Sequence, residues 1–80
     1  MRILDGEKQA PLREIQLYLT PKEASELKRL LEVLLRDPEA NEHEHLIADG
    51  RDLSVSLVTP AKLKDVSGYT AAEKAMFRER

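Results

Sequence analysis

The sequence predicts a small α+β domain, a two-layer β-β-α-β-β sheet with one long helix on one face and a short helical tail behind it. Three observations predict it. Residues 15–19 alternate apolar and polar with period two. Residues 21–36 repeat with helical period behind a Thr-Pro start signal. Asp49-Gly50 separates two strand-like runs, the pattern of a tight hairpin. The core is expected over residues 1–59 and the tail over 60–80. Eighty residues allow one domain. So short a chain buries only ~60% of its unfolded surface and is marginally stable alone. Self-association or a partner is therefore expected from size.

Met1-Arg2-Ile3-Leu4 opens the chain as a short strand over about 1–4, and the polar loop Asp5–Pro11 follows it. A second strand is expected over about 12–19, with Ile15, Leu17 and Leu19 on one side and Glu14, Gln16 and Tyr18 on the other. These two strands should pair as a hairpin. Thr20-Pro21-Lys22-Glu23 then reads as a helix start. Thr20 caps the first turn, Pro21 suits the first helical position, and Glu23 stands where it completes a capping box. The helix should run over about 21–36 and stop before Pro38. Ala24, Leu27, Leu30, Leu31, Leu34 and Leu35 make its core-facing stripe, and Val33 falls outside it beside Glu26 and Arg29.

Strands over about 43–48 and 52–58 flank Asp49-Gly50. A two-residue turn there sets His45 opposite Ser54, His43 opposite Ser56 and Leu46 opposite Leu53. Leu53, Val55 and Leu57 should join Ile15, Leu17 and Leu19 on the face beneath the helix. Thr59-Pro60 repeats the Thr-Pro device, leading into one or two helical turns over Ala61–Val66. Thr70-Ala71-Ala72-Glu73 is a second capping box, opening a helix from Ala71 toward Arg80 whose apolar face is Ala72, Ala75 and Met76.

Composition narrows the function. Zero cysteines exclude disulfide scaffolds, thiol nucleophiles and Cys-ligated metal centres. A formal net charge of −2 gives no overall pull toward nucleic acid or anionic lipid. No apolar run reaches membrane-spanning length, and no basic segment leads into an apolar one, so a cytoplasmic protein is expected. The three glycines are isolated, so no phosphate-binding loop is present.

His43-Glu44-His45 is the one cluster with metal-binding character. Residues i and i+2 of a strand share a face, so the two imidazoles stand together. Zinc asks for three or four ligands, and the chain has no third histidine, so the pair is incomplete in one copy. Ser54 and Ser56 stand beside the histidines, but no Gly-x-Ser-x-Gly elbow and no acidic orienter accompany them. No enzyme activity and no cofactor are expected.

Arg13–Glu23 resembles the opening of a ribbon-helix-helix repressor, in which a strand precedes an amphipathic helix. That resemblance implies a dimer whose paired strands enter the DNA major groove. It covers about a quarter of the chain. It stops where Pro38 and the Asp49-Gly50 turn stand in place of the family's second helix, and Glu14 shares the would-be reading face with Gln16 and Tyr18.

The first expectation is a non-enzymatic, stoichiometric protein-binding module of the inhibitor, antitoxin, immunity or phage anti-defence kind, a small protein that also forms a homodimer. It would bind through an open sheet face or edge, using Gln16, Tyr18, His43, His45, Ser54 and Ser56. The second is an oligomer that sequesters a small ligand or metal between His43 and His45 of several chains. Dimeric DNA binding ranks third.

Overall fold

The computed structural model describes residues 1–78. The order is β1 (Ile3–Asp5), β2 (Ala10–Leu12), α1 (Pro21–Arg36), β3 (His43–Ala48), β4 (Arg51–Ser56), a single 3-10 turn (Lys62–Lys64) and α2 (Ala71–Phe77). The class is α+β, as the sequence predicts. Glu79 and Arg80, the end of the expected last helix, lie outside the described residues. Among those residues, no helix is long and apolar enough to cross a membrane.

The strands form two separate antiparallel ribbons, β1-β2 and β3-β4, where one four-stranded sheet was expected. The first ribbon pairs Ile3 with Leu12 and Asp5 with Ala10. Asp5 Oδ1 shapes its loop by accepting from the Glu7 and Lys8 amides, each at 3.0 Å. The strand expected over 12–19 is corrected: pairing ends at Leu12, and residues 14–20 join no ladder. β1 is three residues long and can match only three residues of its neighbour. Alternation dictates which way side chains point in an extended chain, but it supplies no strand beside it. Ile15, Leu17 and Leu19 consequently lie exposed rather than beneath α1.

The second ribbon follows the turn chemistry. Asp49 and Gly50 both take positive φ, 53° and 71°, as a type I′ turn demands. The resulting register pairs His43 with Ser56, His45 with Ser54 and Leu46 with Leu53, as the sequence predicts. β4 closes at Ser56, so Leu57 and Val58 follow the strand rather than ending it.

α1 starts at the expected capping box. The Glu23 amide donates to Thr20 Oγ1 at 3.2 Å, and the Thr20 amide donates to Glu23 Oε1 at 2.9 Å. The helix packs on β3, with Leu30 and Leu34 buried on the helix and Leu46 buried on the strand. Its covered face is narrower than the expected stripe and rotated from it. Leu27 and Val33 are half-buried, whereas Ala24, Leu31 and Leu35 are exposed. A two-stranded ribbon is too narrow to cover a ~140° apolar arc, so one flank of the stripe stays open.

Thr59 organises the next link: its hydroxyl donates to Glu39 Oε2 at 2.8 Å and accepts from the Lys62 amide at 3.3 Å. The helix expected over Ala61–Val66 shrinks to the 3-10 turn. Asp65 then accepts from the Ser67 amide at 3.1 Å, which turns the chain toward Tyr69. α2 opens with the second capping box, Glu73 amide to Thr70 Oγ1 at 3.2 Å and Thr70 amide to Glu73 Oε1 at 2.8 Å. It packs on β2 through buried Met76, so the tail docks on its own chain. Ala75, expected on the buried face, is exposed. Tyr69 meets Phe77 edge to face, with ring centroids 4.8 Å apart.

The Ser67 hydroxyl and then the Ser67 amide hold the Asp65 carboxyl below the usual aspartate range. A depressed carboxyl stabilises the fold above its unfolded pKa and loses that contribution as pH falls through the folded value. Asp65→Asn is therefore expected to lower the urea midpoint slightly at pH 7. The gap to the parent chain should begin to narrow as the pH drops below the ordinary aspartate value of 3.8, and close below the lower folded value. Urea titrations at pH 7 and pH 3 measure this; a gap of unchanged size at pH 3 contradicts it.

Candidate functional site

The two faces of the β3-β4 ribbon differ sharply. Glu44, Leu46 and Ala48 stand opposite Val55, Leu53 and Arg51 on the side turned toward α1. His43, His45 and Ile47 stand opposite Ser56, Ser54 and Asp52 on the other side, and all six of these are exposed. Period-two geometry decides this division, because a type I′ turn leaves no freedom of register.

On the open face, His45 Nδ1 lies 2.8 Å from Asp52 Oδ1. With its hydrogen on Nδ1, the imidazole donates to the Asp52 carboxylate, which can only accept. Both side chains are close to half exposed, so the contact orients the ring more than it stabilises the fold. The His43 and His45 rings meet edge to face with centroids 4.8 Å apart. Side by side, they make one polar, partly aromatic ridge running to Ile47.

Four of the six expected binding residues, His43, His45, Ser54 and Ser56, thus share this face. Gln16 and Tyr18 do not join it, because their segment belongs to neither ribbon. They do share a side of their own: the Tyr18 hydroxyl donates to Gln16 Oε1 at 2.8 Å. Two residues of the ribbon face were missed by the sequence reading, Asp52 and Ile47. The expectation that no acidic group orients a histidine is corrected by Asp52. Its parity with Ser54 and Ser56 in the strand was the available signal. Asp52, His45 and Ser54 are the residue types of a hydrolytic triad, yet no hydrogen bond joins His45 to Ser54 among the described residues. Nor do the described residues gather three metal-ligating side chains of the His, Asp or Glu type at one place.

No protein-family model, curated protein or solved structure matches the chain. The fold and the open face define a small α+β protein with a polar ribbon surface.

Proposed function

We propose that the protein is a non-enzymatic binding module that occupies a partner protein stoichiometrically, the mode of an inhibitor, antitoxin, immunity or anti-defence protein. One observation carries the reading. Among the described residues, four apolar side chains are buried (Leu30, Leu34, Leu46 and Met76), while eleven large apolar side chains are exposed. Single exposed leucines are ordinary on any surface. So small a buried set suits a chain that completes its apolar burial against another molecule. Tyr18 is 86% exposed and Ile47 68%, which sets one large side chain beside each group of polar binding candidates. Rigid aromatic and aliphatic anchors of this kind dominate protein recognition.

The test uses the full chain expressed in its own host and native mass spectrometry of the complex it retains. A Tyr18→Ala/His45→Ala double variant should lose the partner mass while its far-UV circular dichroism stays that of the parent, since both side chains are exposed. A partner retained at parental stoichiometry would rule out these residues as the binding surface.

A further inference from the structure

The open face of the β3-β4 ribbon sets two imidazoles side by side. His43 and His45 are residues i and i+2 of β3, so they share a face, and their ring centres stand 4.8 Å apart. One of the two is held from across the ribbon, where Asp52 Oδ1 lies 2.8 Å from His45 Nδ1. We propose that His43 and His45 chelate one divalent ion of the late first-row metals, copper(II) most tightly, with Asp52 setting His45 as a ligand.

The spacing of the rings suits a shared ion. A metal ~2.0–2.1 Å from an imidazole nitrogen lies about 3.2 Å from the centre of that ring. Two rings that meet the metal at about 90–109°, the square-planar to tetrahedral range, have centres about 4.5–5.2 Å apart. The observed separation falls inside that span. The rings stand edge to face at 80°, so chelation asks the His43 ring to turn. It is free to do so, being exposed and without a hydrogen-bond partner among the described residues.

A carboxylate stands behind His45. With the hydrogen on Nδ1, the lone pair of the ring is on Nε2. A histidine that ligates a metal through one nitrogen almost always gives its other N–H to a carboxylate, a carbonyl or a water. Such a partner fixes the tautomer and the ring orientation before the ion arrives, and it makes the ligating nitrogen more basic. Asp52 stands in that relation to His45.

The ligand type selects the ion. Imidazole suits copper, nickel and zinc, and among divalent ions offered the same ligands copper(II) binds most tightly. Calcium and magnesium ask for oxygen ligands instead. Two protein ligands leave the other positions to water. Ser56 and Ser54 are the residues directly opposite, so neither a positive charge nor bulk stands across from the rings. This site goes beyond the binding function proposed above and does not rest on it.

The test titrates the full chain with Cu2+ alone by calorimetry and records electron paramagnetic resonance of the copper-loaded protein. One equivalent should bind, with nitrogen hyperfine coupling from two imidazoles, and excess Mg2+ should not displace it. Asp52→Ala should weaken binding ~10-fold, the lower end for an outer-shell partner, and His43→Ala and His45→Ala should each weaken it at least as much. Ser54→Ala, on the same face, should bind as the parent does. All four side chains are exposed, so the variants should keep the parental circular dichroism. Absence of a saturable equivalent would overturn the inference. So would parental affinity in a His43→Ala/His45→Ala double variant, coupling from one imidazole only, or unchanged affinity in Asp52→Ala. Metal binding is read on the purified chain and partner retention on the host complex, so either result can fail while the other stands.

Discussion

Leu30→Ala is expected to bring the chain close to the edge of unfolding at 25 °C. Leu30 is 3% exposed, the most deeply covered side chain of the described core, and it lies where α1 meets β3. Truncating a core leucine costs ~2–5 kcal/mol through lost burial and the cavity left behind. A domain of 80 residues has only about 4–12 kcal/mol to lose, at ~0.05–0.15 kcal/mol per residue, and a core this small belongs near the lower figure. Leu35→Ala removes the same atoms from the same helix five residues on, about 1.4 turns, where the side chain is 62% exposed. It should shift stability by no more than about 0.5 kcal/mol. Urea titrations of both variants followed by circular dichroism decide the matter. Equal midpoints for the two would contradict the helix orientation described above.

Met76→Ala is expected to release α2 together with the β1-β2 ribbon while α1, β3 and β4 remain ordered. A helix of seven residues is marginal by itself, and so is a hairpin with three residues per strand. Each therefore depends on what it touches. Met76 is the one buried residue of α2, and it lines one groove together with Ile3, Pro11 and Leu12 of the first ribbon. Removing it costs ~2–5 kcal/mol concentrated on the two weakest elements. Amide hydrogen exchange should then show lost protection at residues 3–5, 10–12 and 71–77, with that of 43–56 kept. A uniform loss over the whole chain would mean that the two ribbons unfold as one unit.

What could be read from the sequence was whatever neighbouring residues decide among themselves. Asp49-Gly50 needs only its own backbone to reverse the chain, and the His43–Ser56 register follows from it. Thr20 with Glu23, and Thr70 with Glu73, likewise close their hydrogen bonds within four residues. The association of the ribbons could not be read this way. Ile15, Leu17 and Leu19 carry a strand pattern, but a pattern of facing does not name a neighbour. The helix face was ambiguous for a related reason. Leucines at 27, 30, 31, 34 and 35 mark a wide apolar arc, and the width of the ribbon beneath it determines which part is covered. At the open face, the alternation placed both histidines and both serines correctly. Asp52 escaped because its partner is diagonal, His45 rather than the directly opposed Ile47.

The two capping boxes and two short hairpin loops carry a consequence for how the chain reaches its fold. Each helix start and each ribbon is decided within a stretch short enough to form before the rest of the chain is in place. Closing a loop of about ten residues takes ~10–100 ns, and a hairpin assembles in ~1–10 μs. Little loop-closure entropy then stands between the unfolded chain and its elements, which places folding toward the microsecond-to-millisecond end of the range for single domains. The slow event is the meeting of α1 with β3. On a ribosome, every residue of α1 has been added before Leu46, the residue that gives the helix its footing, while β1-β2 waits for Met76 near the end of the described chain.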